Sequence, residues 1–524
     1  MDTESSFTPA APAARPPART KPARTTPASS ARALAAALLG FALITLDTSV
    51  VNVALPAMGG DLGTGMTGLQ WVMDAYTLAF AALLLSTGAL ADRIGASRAY
   101  AGGIVVFTLA SAACGLAPGL PALVAARAVQ GMAAAVMLPA SLALVREAYA
   151  DPGRRGRAVS LWAAGGTVAM ALGPVVGGAL TSAWSWRWIF FVNVPLGLLA
   201  LVLLRRVARS RPRPVPLDVA GQLTATLALG ALTFAAIEGG AAAWWALGVA
   251  SVSFTAFLLI EARHPHPVVP LGMFRSTTVA VCVAAGSAVS VAFYGIVFVL
   301  SLYFQQVLHL SALAAGLMFL PMTGLLAFVN VFSARVAARR GPRLPIVVGQ
   351  VVAVAGLLLL LYADGSTPLA LLAVSLAPFA LGCGFALPPL IAAMMEAVPA
   401  ERAGTAAGLL NAARQTAGGL SIAVFGSLVA GGSGSAGGEA HLGSGSGSAG
   451  VFVDGMHVSL VLSAALLAVT ALAATRLGRP APRAGGVRPA ERPQPSRRPS
   501  TRRGRPSGLS SRSSGGSSAS GVDW

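Results

Sequence analysis

Three charged side chains stand inside stretches that are otherwise apolar, and they define the chemistry open to this 524-residue chain. Asp47 lies in Leu46-Asp47-Thr48-Ser49-Val50-Val51-Asn52-Val53-Ala54-Leu55-Pro56, and Asp74 in Trp71-Val72-Met73-Asp74-Ala75-Tyr76. Arg127 opens Arg127-Ala128-Val129-Gln130-Gly131. A carboxylate sunk in hydrocarbon costs about 2.5–3.5 kcal/mol on insertion scales, so it needs a cation, a water-filled cavity or a proton. Withdrawal from water favours the neutral acid, which makes proton exchange a chemistry within reach. Counted from the ends of their apolar runs, the three fall within about 6 Å of one another in depth, at about 1.5 Å per residue. Arg127 is therefore expected to pair with one or both acids, and protonation of the acid to loosen the pair and free the helices to move.

Other polar residues extend this set. Thr48 and Asn52 stand one turn apart and form a polar face beside Asp47. Arg414, in Asn411-Ala412-Ala413-Arg414-Gln415-Thr416-Ala417-Gly418-Gly419, is a further embedded charge and should face the bundle interior. Asn52, Gln130, Arg414 and Gln415 are the candidates for lining a substrate pathway. Gly173-Pro174-Val175-Val176-Gly177-Gly178 is a candidate hinge, because proline removes a helical hydrogen bond and glycines admit a close neighbour. Gly88-Ala89-Leu90-Ala91-Asp92-Arg93-Ile94-Gly95 has a degraded echo in Ala334-Arg335-Val336-Ala337-Ala338-Arg339-Arg340-Gly341. The two sit at matching places if two spans are inserted between repeated halves, a layout typical of secondary transporters.

The elements that must position these residues are fourteen apolar runs. They fall near 33–56, 69–90, 99–117, 120–145, 158–180, 187–204, 218–238, 243–261, 279–304, 313–337, 344–362, 368–394, 403–430 and 455–475. A helix of about 20 residues crosses a bilayer core about 30 Å thick. Arginines gather in alternate gaps, as they do in cytoplasmic loops, from Arg93 and Arg98 to Arg339–Arg343; the gap holding Arg402 alone is the weakest. The expected fold is all-α and integral to the membrane, with fourteen helices arranged six, two, six and both termini cytoplasmic. The domain reading is a disordered basic arm over 1–32, a first six-helix half over 33–204 and a basic connector over 205–217. Two inserted helices follow over 218–261, then a second half over 262–475 that includes a Gly/Ser-rich external loop at 431–454. The tail, 476–524, is Arg/Ser-rich and expected to be disordered, with eleven arginines from Arg476 onward.

Composition excludes several classes. The chain is 55% hydrophobic and 10% charged, where a soluble domain carries about 25% charged residues. Its net charge of +19 comes from arginines in loops and tails, which orient a membrane protein and meet anionic lipid, so nucleic acid is not an expected partner. Cys114, Cys282 and Cys383 are far apart, and no metal site or disulfide framework follows from them. Lys21 is the only lysine, so an ATP-binding Walker A motif cannot be present. The histidines His264, His266, His309, His441 and His457 form no HExxH or HxxxxD arrangement, which argues against a membrane-embedded enzyme. A transporter-like sensor using the basic tail is a more distant alternative.

On these residues the chain resembles the major facilitator superfamily, specifically its fourteen-span drug:proton antiporters. Asp47–Pro56 resembles that family's first-span motif, and Gly88–Gly95 its loop motif, with Ala96-Ser97 in place of the usual basic pair. Arg127, Gln130 and Gly131 match the fourth-span motif, and Gly173, Pro174, Gly177 and Gly178 the fifth-span antiporter motif. Trp186–Gly197, Asp218, Gly221, Tyr303–Gln306, Gly316, Pro321 and Asn411–Gly419 continue the similarity. The resemblance implies proton-coupled export of hydrophobic small molecules from a bacterial cytoplasmic membrane, multidrug efflux and antibiotic resistance among its uses. It implies proton coupling at Asp47, Asp74 and Arg127, gating at Gly88, Asp92, Arg93, Gly95 and the Gly173–Gly178 segment, and no cofactor beyond the proton-motive force. The partners expected are a small substrate, protons and lipid, with a monomer as the default. A dedicated exporter of one metabolite, such as an antibiotic made by the host, is the alternative.

Overall fold

The computed structural model describes residues 27–207, 209–210, 212, 218–264, 267, 269–399, 402–431 and 446–477. Every regular element among them is helical. The first set comprises α1 (Pro27–Leu62), α2 (Met66–Ile94), α3 (Ala96–Gly115), α4 (Leu120–Ala148), α5 (Pro152–Ala183), α6 (Trp188–Phe191) and α7 (Asn193–Leu204). A hairpin follows, α8 (Val219–Glu238) and α9 (Gly240–Arg263). The second set is α10 (Thr277–Leu302), α11 (Ala312–Met318), α12 (Leu320–Arg340), α13 (Arg343–Leu359), α14 (Leu369–Glu396), α15 (Ala403–Val429) and α16 (Ser446–Ala474). Eleven helices among the described residues are long and apolar enough to cross a membrane, or twelve if the bent α2 counts as one span. Helices suit that setting because each satisfies its own backbone polar groups without water. Their outward faces stay apolar: Leu109 is 66% exposed and Phe328 80%, where a soluble bundle would place polar side chains.

Breaks in the helices follow proline and side-chain chemistry. The run 187–204 is two helices, α6 and α7, with Pro195 unable to donate a backbone hydrogen bond early in α7. The run 313–337 divides at Phe319, where Pro321 fits the first turn of α12. The helix α1 begins at Pro27, inside the stretch read as an unstructured arm, and Ser30 Oγ donates to the Ala148 carbonyl at 2.8 Å. Likewise α16 begins at Ser446, inside the stretch read as an external loop. The rest of that loop, the tail from 478, the arm before 27 and most of the basic connector lie outside the described residues.

The neighbour pattern is repeated. In the first set α1 packs on α5, α2 and α3 pack on α4, and α7 packs on α1 and α3. In the second, α10 packs on α15, α12 and α13 pack on α14, and α16 packs on α10 and α13. The hairpin rests on α2 from one set and α15 from the other, through α8.

The two sets meet in the half of the bundle farther from the arginine-rich gaps. Ser301 Oγ donates to the Asn52 carbonyl at 2.8 Å, and Gln305 Nε2 to the Val53 carbonyl at 3.0 Å. Gln70 Nε2 donates to the Ala423 carbonyl at 2.6 Å, and the Leu313 N–H to Ser182 Oγ at 3.2 Å. Backbones come close at Gly178, where a Cβ would run into the Ala312 carbonyl and stand 2.7 Å from Leu313 Cα, and again at Gly316, where a Cβ would run into the Pro174 carbonyl. Only glycine permits that approach. Gly178→Val should therefore part α5 from α11. Ser301→Cys, 0% exposed in the closed seam, should then react several times faster with a membrane-impermeant maleimide, an increase of about threefold or more. Unchanged labelling would show that this contact does not hold the seam.

Candidate functional site

Asp47 is the hub of a dry polar network inside the first set. Its Oδ2 accepts from Arg127 Nη1 at 2.5 Å, and its Oδ1 from Gln130 Nε2 at 2.8 Å and Asn193 Nδ2 at 3.0 Å. Arg127 and Gln130 are three residues apart on α4, so both reach the same carboxylate, and Arg127 Nη1 also donates to Gln130 Oε1 at 2.9 Å. Arg127 Nε donates to the Val72 carbonyl of α2 at 3.2 Å, and the guanidinium lies 4.3 Å from the Tyr76 ring centre. Asn193 Nδ2 bonds Ser111 Oγ at 3.0 Å, which donates to the Phe190 carbonyl at 2.8 Å. Asp47, Arg127, Gln130, Asn193 and Ser111 are all 0% exposed. Charge-assisted bonds of this kind are the strong ones, and burial keeps water from competing for them.

The sequence leaves open whether Arg127 meets one acid or both; the structure gives it Asp47. Gln130, read as a substrate-pathway residue, instead closes the Asp47 network. Asn193 and Ser111 were missed. A lone amide in the apolar run 187–204 was a usable signal for Asn193, whereas Ser111 had none, since a helical serine commonly bonds its own backbone.

Asp74 has the opposite environment. It is 0% exposed, and among the described residues neither carboxylate oxygen has a hydrogen-bond partner. It faces α15: a Cβ on Gly419 would stand 3.4 Å from Asp74 Oδ1. Tyr76, two residues on, points around α2 to the Arg127 network. One helix thus carries an answered face and an unanswered one, and the unanswered carboxylate lies on the seam between the two sets.

The remaining candidates occupy separate places. Asn52 is 5% exposed; its backbone joins the seam through Ser301, and its Oδ1 is buried without a partner. Arg414 is half-buried on α15, donating from Nε to Ser290 Oγ at 3.2 Å and from Nη1 to Asn411 Oδ1 at 3.3 Å. Among the described residues no carboxylate pairs with it. Gln415 is half-buried beside it. Gly173 and Gly177 turn toward Ser49 and Val50 of α1, while Gly178 and the Pro174 carbonyl meet α11. Gly88 is half-buried near the foot of α2, and Asp92 and Arg93 are exposed there, outside the ion pairs found among the described residues. Gly95, at φ +92°, turns the chain into α3; Ser97 exchanges hydrogen bonds with Ser210 of the connector at 3.0 and 2.9 Å.

Removing one partner of a buried pair strands the other charge, at a cost of about 3–5 kcal/mol. Asp47→Asn and Arg127→Gln should each destabilise the purified protein by about that much, and the double variant by clearly less than their sum. Thermal unfolding in detergent reads this out, and additive effects would contradict a direct pair.

Comparisons with known proteins bear on the family and the fold. The model of the Major Facilitator Superfamily matches residues 37–422. The multidrug resistance protein Stp of Mycobacterium tuberculosis (strain CDC 1551 / Oshkosh) is 37% identical over 396 residues, covering 74% of each chain. The methylenomycin A resistance protein of Streptomyces coelicolor is 37% identical over 73% of this chain and 82% of its own. The tetracenomycin C resistance and export protein of Streptomyces glaucescens is 34% identical over 74% of each chain. Among solved structures, a bacterial homolog to the human lysosomal transporter Spinster aligns with a TM-score of 0.60 at 18% identity, covering 86% of this chain and 97% of that one. The peptide transporter POT in complex with sulfate gives 0.61 at 18%, covering 85% and 95%, so both attest the fold alone. The family match, the relatives and the shared all-helical fold lead to one conclusion: this chain belongs to the major facilitator superfamily.

Proposed function

We propose that the chain exports hydrophobic small molecules across the bacterial cytoplasmic membrane in exchange for protons, by alternating access between its two helix sets. The observation that carries this reading is Asp74. A carboxylate in a dry seam with no donor is tolerated as the neutral acid, so it must take up or release its proton whenever the seam opens to water. The Asp47–Arg127 network, in which both Asp47 oxygens have donors, acts as the rigid clasp that keeps α1, α2, α4 and α7 moving together. Arg414 and Gln415 on α15, with Asn52 on α1, are the proposed substrate contacts. The Gly173–Gly178 segment, with Gly88, Asp92, Arg93 and Gly95, is proposed to guide the rocking motion.

Several observations support the wider frame. With the bent α2, the shorter run Trp188–Leu204 and α15 joining the eleven clear candidates, the proposed count is fourteen spans, six and six around the inserted pair. The alternating arginine gaps then put both termini in the cytoplasm and the closed seam at the outer side. One inward proton supplies about 2.3 kcal/mol per 100 mV and about 1.4 kcal/mol per pH unit, enough to drive accumulation without a cofactor. The names of the relatives, which are multidrug and antibiotic resistance or export proteins, support a drug-like substrate. Two of those names specify a single antibiotic, which favours a second reading: a dedicated exporter of one metabolite.

Inverted vesicles holding a preformed pH gradient test the coupling. Across a panel of aromatic antibiotics, at least one should collapse the gradient through the native protein. Asp74→Asn should lower that proton flux about tenfold or more while still binding the compound. Undiminished flux in Asp74→Asn would sink the proposal, and the breadth of the panel separates the multidrug from the single-substrate reading.

A further inference from the structure

The helix α2 is bent by 64° between Met66–Leu84 and Ser86–Ile94, and no proline lies within it. A bend of that size disturbs the backbone hydrogen bonds around it, and the carbonyls left behind need other donors. Two side chains bond the backbone at the bend. Thr87 Oγ1 donates to the Leu84 carbonyl at 3.1 Å and to the Ala135 carbonyl of α4 at 2.7 Å. From the other side Gln222 of α8 donates through Nε2 to the Ala82 carbonyl at 2.5 Å, and its Oε1 accepts from Ser86 Oγ. One amide therefore grips both limbs of the bend, Ala82 above and Ser86 below. At its far end α8 is fastened to the upper limb again, where Trp71 Nε1 donates to Glu238 Oε1 at 2.8 Å. Among the described residues, the hydrogen bonds from α8 side chains to another helix named here all land on α2, although α8 also packs on α15.

We infer that the inserted hairpin is a splint for α2, and that Gln222 is the positioning residue that sets the angle between its limbs. The upper limb carries Asp74 against α15, and the lower limb carries Gly88, Asp92 and Arg93 and ends before Gly95. Holding that angle fixes where the acid stands relative to the loop at the foot of the helix. The splint travels with the first set and slides along α15 of the second. Its consequence for transport rests on the export reading above; the geometry of α2 does not.

The test uses the full-length protein in lipid nanodiscs with spin labels at Thr67→Cys and Ile94→Cys, both exposed positions, the three native cysteines being buried. Straightening a 64° bend at this place lengthens the span between the labels by about 5 Å, from the rise per residue. Gln222→Leu keeps the volume and loses the bracket, so its distance distribution should move toward the longer value. Ser86→Ala releases the lower limb with α8 intact, should move the same way, and decides the matter if Gln222→Leu does not fold. Thr224→Val, whose hydroxyl bonds only its own helix, should change nothing. Substrate turnover should fall about fivefold in both bracket variants with KM held within about twofold. Unchanged distances in both bracket variants would overturn the inference, as would lost turnover at unchanged distance. Absent proton flux in the native protein would count against the export reading, while the distances would still decide this one.

Discussion

Asp47 is held where water does not reach, and Arg127, Gln130 and Asn193 all aim N–H groups at its two oxygens. Each donor comes with a helix attached. Arg127 and Gln130 bring α4, Asn193 brings the start of α7, and the Arg127–Val72 bond adds α2. One carboxylate thus fixes four helices that lipid-facing apolar surfaces could not distinguish, because hydrocarbon gives packed helices little reason to prefer one rotation over another. The first set can then behave as a body. Only a body can rock.

Against that fixed background Asp74 stands out by contrast. The two acids have similar residue type and burial, yet one has three donors and the other none. A buried charge with a full set of partners resists change, and a buried acid with no partners depends on its proton. The proposed division of roles between two residues avoids a contradiction, since a single group cannot both lock the helices and release them. The seam where Asp74 sits is also where Gln70, Ser301 and Gln305 reach across to backbone carbonyls of the other set. Side-chain bonds to a backbone can be exchanged one by one, which suits the opening and closing proposed for this surface.

Much of this was legible in the residues. Apolar runs and alternating arginines gave the helical membrane class, and the shared depth of Asp47, Asp74 and Arg127 gave an arginine paired with one or both acids. Depth carries no azimuth, however. Asp74 and Asp47 were equally plausible partners for Arg127 until α2 was seen to turn Tyr76 toward the arginine and Asp74 toward α15. The Asp47 network also draws on Asn193, which stands out as a lone amide in its apolar run, but its contact with Asp47 is a long-range one that no local pattern encodes. The bend in α2 left no proline to find; Ser86-Thr87-Gly88 permits it, but Gln222, more than a hundred residues away, holds it. Helix ends shifted where tertiary bonds reached beyond the apolar run, as Ser30 does at the start of α1.

The central claim is that Asp74, and not Asp47, is the carboxyl group that holds a proton inside the closed bundle. Infrared difference spectroscopy of the protein in lipid, in light and heavy water, sees the carbonyl stretch of a protonated carboxyl directly. The account requires a deuterium-sensitive band of that kind in the native protein that persists in Asp47→Asn and vanishes in Asp74→Asn. A band that survives Asp74→Asn and is lost in Asp47→Asn would contradict it.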